Sequence, residues 1–217
     1  MIFYLLSFVI AGAAFAFGVA RLFRKKKPLY FQLLVCAVGC FAIRQLFDVV
    51  SYFCGGFAYE FNIGMLGIFG CVFFLLSANY GQLDRIVDDG SDVNKRAKTV
   101  AWAAPAVLAV IIVGVFLAWK DRELVNAVLW VIMLVPAIPA SYFNWKHLIM
   151  PMDDFGFLRA TRVCNVIAFS FYLVTAFSVI SLAEHLVVLS YAANVVMSLL
   201  MFALAFFADK GAKQWGI

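Results

Sequence analysis

Two charged side chains stand inside an otherwise apolar run. Arg44 and Asp48 interrupt the segment from Tyr30 to Cys54, four residues apart, a spacing that sets both on one helix face and lets them form an ion pair within it. A guanidinium presents a rigid fork of donors that matches a carboxylate or phosphate, so the chemistry suggested is recognition of a small anion or zwitterion. Charge within a membrane costs about 2.5–3.5 kcal/mol on insertion scales, which marks a candidate functional site. In the plainer alternative Arg44 snorkels toward the headgroups and Asp48 neutralises it there. Other polar residues recur on later apolar runs. Gln45 and Ser51 share the helix of Arg44; Tyr172, Thr175, Ser178 and Ser181 follow on the sixth run; Tyr191, Asn194 and Ser198 follow on the seventh; and Asn126 opens the fifth. If the second, sixth and seventh helices are neighbours, Arg44, Asp48, Gln45, Tyr172, Thr175, Tyr191 and Asn194 are expected to line one outward-opening ligand pocket. Hydrogen bonding between helices for packing alone is the other use of such residues.

The elements that must position these groups follow from composition and charge. Of 217 residues, 66% are apolar or aromatic and 13% are charged, against about 45–50% and about 25% in a soluble domain. An ordinary soluble protein, a disordered chain and a disulfide-rich secreted module are thereby excluded. At about 20 residues per membrane helix, residues 1–217 make a single all-α transmembrane domain. Reading between charges gives seven spans: Met1–Ala20, Tyr30–Cys54, Asn62–Gln82, Val100–Trp119, Leu124–Trp145, Val163–Ala183 and Leu186–Ala208. Basic residues follow the first run and no small-residue cleavage site closes it, so an uncleaved helix is expected there.

Orientation is tested by the loops, because Lys and Arg gather on the cytoplasmic side. With the N-terminus outside, fourteen basic residues fall inside, from the Arg21–Lys27 group to Lys213, and only Lys120 and Arg122 fall outside. The chain is therefore read as a multi-pass protein of the cell membrane with its C-terminus in the cytoplasm and the lipid bilayer as its first partner. The net charge of +5 is a topology signal, and no nucleic-acid partner is expected. At a rise of about 1.5 Å per residue from Phe31, Arg44 lies about 20 Å and Asp48 about 26 Å from the inner edge, in the outer half of the bilayer.

Small residues point to close packing. Ala11, Gly12, Ala14 and Gly18 on the first span, and Gly64, Gly67 and Gly70 on the third, make these two helices the candidates for the packed centre. Pro136 and Pro139 are expected to kink the fifth. A second polar cluster is expected where the third and fifth spans reach the cytoplasm: Ser77, Asn79, Tyr80, Gln82 and Asp84 on one, Ser141, Tyr142, Asn144, Lys146 and His147 on the other. It is read either as side chains meeting water or as an output surface or inner gate.

No enzyme chemistry is expected. Cysteines 36, 40, 54, 71 and 164 carry no metal-ligand spacing, and two histidines, His147 and His185, cannot make a paired-histidine haem site. The acidic stretch Asp84 to Asn94 fails the calcium-loop pattern, since glycine at 90 would place Arg85 at its first ligand position. No cofactor and no metal are expected.

One resemblance covers about the first 85 residues. An N-out first helix closed by Arg24-Lys-Lys-Lys27-Pro28, a second helix polar at Arg44 and Asp48, and a third reading Leu66-Gly67-Ile-Phe-Gly70 and ending Ser77-Ala-Asn79-Tyr80-Gly81 resemble the seven-helix membrane sensor modules of bacterial histidine kinases and diguanylate cyclases. That resemblance implies a sensor or receptor-like protein that binds a small ligand from outside and couples through its cytoplasmic loops to a separate protein. The alternatives are a small-solute transporter using the same pocket and a structural or accessory subunit of a membrane complex. Transport predicts polar groups continuing from Arg44 to the cytoplasmic cluster; sensing predicts a pocket closed below by Phe, Leu and Val; an accessory subunit predicts no pocket.

Overall fold

Backbone amides without partners are too costly in hydrocarbon, so charge-free runs of this length close their hydrogen bonds internally as helices. The computed structural model describes residues 1–23, 27–55, 62–84, 92–150 and 156–215, and no strand occurs among them. Arg24, Lys25, Lys26, Arg85 and the acidic stretch from Asp88 to Gly90 lie outside the described residues. Six helices are long and apolar enough to cross a membrane, and Met65–Gly81 is a shorter apolar helix. The protein is a helical membrane bundle.

Its first helix, α1 (Ile2–Leu22), buries Tyr4, Ser7, Ala11, Ala14, Gly18 and Leu22, a single stripe at helical spacing. That stripe packs on α2 (Leu29–Phe53) and on the last helix. At Gly18 an added Cβ would come within 2.9 Å of Val35. Even so, α1 is peripheral: its apolar window is 28% buried, against 56% for α2 and for the sixth span. The expectation that small residues make α1 central is corrected. Small residues permit close approach along one face but leave the remainder of the helix to lipid. Gly55, at φ +73°, ends α2 with the left-handed conformation glycine adopts without strain.

The helix α3 (Met65–Ala78) runs into a π-helical turn, Asn79–Leu83. Its glycines press on α2: an added Cβ at Gly67 would lie 2.6 Å from the Cys40 carbonyl oxygen, and one at Gly64 would meet the Phe47 ring. The fourth span divides into α4 (Asp92–Ala101) and α5 (Ala103–Lys120), parting at Trp102. Pro105 explains the break, since its missing N–H and its ring both disfavour a helical bond to Ala101. The fifth divides into α6 (Leu124–Leu134) and α7 (Ala137–Ile149) at Pro136, where the kink was expected. Helix α8 (Gly156–Ala183) begins seven residues before the charge-based boundary, and α9 (Val187–Gln214) continues beyond its own. The buried Phe41 and Phe171 rings meet edge-on at 5.4 Å, joining α2 to α8 in the core.

Candidate functional site

At the end of the bundle where α1, α3 and α9 begin, Arg44 and Asp48 form the expected ion pair within α2, with side chains 13% and 9% exposed. Gly67 lets α3 lie directly on this stretch, its Cα facing Arg44 Cβ. Two adjoining cavities open at Arg44. One, of about 60 Å³, is walled by Tyr4, Asp48, Asn62, Met65 and Tyr191; the other, of about 40 Å³, by Ile68, Thr175, Ser178, Val179 and Met197. Arg44, Trp130, Leu182, Ser190 and Asn194 border both. The larger has room for roughly four waters or one small anion.

Polar partners fix most of the wall. Asn194 donates to Ser190 O at 2.9 Å and to Ser178 Oγ at 3.4 Å, and it accepts from Gln45 Nε2 at 3.4 Å. The Ser178 and Ser190 hydroxyls are 2.9 Å apart. Thr175 Oγ1 donates to Phe171 O at 2.7 Å and lies 3.1 Å from Met197 Sδ. Four buried polar atoms here have no hydrogen-bond partner: Arg44 Nε, Trp130 Nε1, Gln45 Oε1 and Asn62 Oδ1. Buried polar groups are almost always paired, so these mark where a ligand or ordered water fits.

Of the seven residues expected to share one pocket, Arg44, Asp48, Thr175, Tyr191 and Asn194 line the cavities, and Gln45 braces Asn194 from behind. Tyr172 is corrected. It is fully buried about one turn deeper on α8 and faces Asn144 of α7 instead, because helical periodicity assigns a face but not a depth. Asn126 is also elsewhere, donating to Glu123 Oε2 at 2.5 Å. Sequence reasoning missed Trp130, Asn62 and Tyr4. Only Trp130 carried a signal: an indole buried away from the span ends needs a partner for its N–H.

The second polar cluster is drawn together at the other end. Asn79 donates to Asn144 Oδ1 at 2.7 Å, Lys146 Nζ to Asp84 Oδ1 at 2.6 Å, and the His147 ring nitrogens face Asp84 Oδ1 at 3.0 Å and Asn79 Oδ1 at 3.3 Å. Asn79, Asn144, Lys146 and His147 are buried, which corrects the reading that they simply meet water. Burial pushes the Asp84 carboxyl up, but the hydrogen bonds and charges of His147 and Lys146 outweigh it and hold the group below its ordinary range. Ser77 and Ser141 bond to carbonyls of their own helices, and Tyr80 is exposed.

Comparison with protein-family models, curated proteins and solved structures finds no match to this chain.

Proposed function

We propose that this protein is a receptor-like membrane sensor that takes a small anionic ligand into the Arg44 cavity from outside and couples it through the cytoplasmic end of the bundle. One observation carries the reading: a buried guanidinium with one edge held by Asp48 and its Nε unpartnered borders a cavity together with the unpartnered Trp130 indole. Basic residues concentrated at the opposite end support an outer position for the cavity. Apolar Ile68, Val179 and Met197 line part of the second cavity, which supports a sensor. The resemblance of the first three spans to bacterial sensor modules points the same way. A cavity weighs against a purely structural subunit.

Transport remains the second reading, because buried polar groups do continue toward the cytoplasmic end through Tyr172, Asn144 and Asn79. The test is thermal unfolding of the purified protein with acetate, inorganic phosphate or neutral acetamide. An anion, but not acetamide, should raise the midpoint, since a ligand at a hundred times its Kd stabilises by about 2.7 kcal/mol, and Arg44→Gln should abolish the rise. A response that is absent, or that survives Arg44→Gln, overturns the reading. Uptake of labelled acetate into proteoliposomes would favour the transporter.

A further inference from the structure

The buried group at the far end of the bundle has a geometry of its own, independent of the Arg44 cavity. His147 is 1% exposed, and the atoms facing its two ring nitrogens are both acceptors. On one side, Asn79 Nδ2 donates to Leu75 O at 3.1 Å and to Asn144 Oδ1 at 2.7 Å. Turning that amide over would set its oxygen against the Leu75 carbonyl, so Oδ1 is the atom 3.3 Å from His147 Nδ1. On the other side, the Asp84 oxygen 3.0 Å from Nε2 also receives Lys146 Nζ at 2.6 Å, which calls for a carboxylate. A neutral imidazole has one N–H and one lone pair. It can satisfy either oxygen and must aim its lone pair at the other, whereas an imidazolium donates to both.

We propose that His147 is a proton-binding site, the bound proton completing a bridge from α7 to the π turn Asn79–Leu83. The surroundings make that proton releasable. The Asp84 carboxylate that faces Nε2 is shared with the Lys146 ammonium. Of the elements packed on α7, α4 carries Asp92, Lys95, Arg96 and Lys98 and α8 carries Arg159 and Arg162 at this end, a surplus of cations, while α3 and α5 bring no charge here. Tyr80 of the π turn meets the Phe143 ring edge-on beside the site, and Tyr172 of α8 faces Asn144. Acceptor geometry favours the proton, while burial of the ring and the Lys146 ammonium on the same carboxylate oppose it. Loss of the proton sets a lone pair against an oxygen and loosens the π turn from α7, at an element type often found at functional sites.

Two histidines in the chain make the test direct. His185→Asn removes the other one at a position with φ +57°, which asparagine tolerates. The full chain, labelled with ¹⁵N-histidine and held in lipid nanodiscs, then reports only on His147 by nitrogen NMR. The expected result is both nitrogens protonated at pH 6, reverting to one as pH rises, with Asp84→Asn lowering proton affinity tenfold or more. A ring already neutral at pH 6, or a titration unmoved by Asp84→Asn, overturns the proposal. Should Asp84→Asn not fold, the titration of the chain with Asp84 intact still decides. None of these readouts depends on anion binding at Arg44.

Discussion

Gly67→Ala asks whether the close approach of α3 to α2 holds Arg44 in place. The new methyl carbon would sit 2.6 Å from the Cys40 carbonyl oxygen and 2.8 Å from Arg44 Cβ. Neither neighbour can rotate away, because one is backbone and the other is the root of its side chain. The helices must therefore part by on the order of 1 Å to restore ordinary contact, at a cost of about 1–3 kcal/mol. Alanine also gains up to about 1 kcal/mol of helix propensity over glycine, and Gly114→Ala isolates that gain because an added Cβ there meets nothing within 4 Å. In the difference between the two variants propensity cancels, leaving the overpacking cost of about 1–3 kcal/mol. Reversible unfolding of both variants in mixed micelles measures the gap, and the anion response of Gly67→Ala should weaken with it. Equal stability of the two variants, with an undiminished anion response, would refute the reasoning.

Asp48→Asn strands a buried guanidinium and should cost about 3–5 kcal/mol, whereas the paired change Arg44→Met with Asp48→Leu should recover most of it; equal losses in a denaturation series would show that the pair is not coupled. At the other end, the depressed Asp84 carboxyl contributes stability that is present above its unfolded value of 3.8 and is lost as pH falls below that through the folded value. Asp84→Asn should therefore flatten the acid side of a thermal-midpoint profile below about pH 4, and an unchanged acid limb would show that the network contributes nothing there.

The outline of the bundle was legible because charge is so costly in hydrocarbon that its absence marks each span. Pro136 announced a break, and the four-residue spacing announced the Arg44–Asp48 pair. Pro105 could have announced the parting at Trp102 on the same grounds. The boundaries of α8 and α9 were not legible, because Arg159, Arg162 and Lys213 continue the helix past the apolar run, and charge marks where lipid ends without ending a helix. Nor was the π turn, since no residue type in Asn79–Leu83 specifies a wider ring of hydrogen bonds. Part of the cavity wall could be proposed from periodic polar residues, but Tyr172 and Trp130 show the limit: which side chains share a depth depends on how helices stagger, and that is decided by packing partners far away in the chain.

The ion pair of α2 bears on how the chain enters the bilayer. Because both partners lie on one helix, their charges cancel as soon as that segment coils, before Trp130, Ser190 or Asn194 has been synthesised. A lone arginine would have to await a counter-charge from a helix yet to be made, or delay integration of its segment. Here neutralisation needs no helix beyond the second, and most of the residues that wall the cavity come later in the chain, around a charge its own helix already balances.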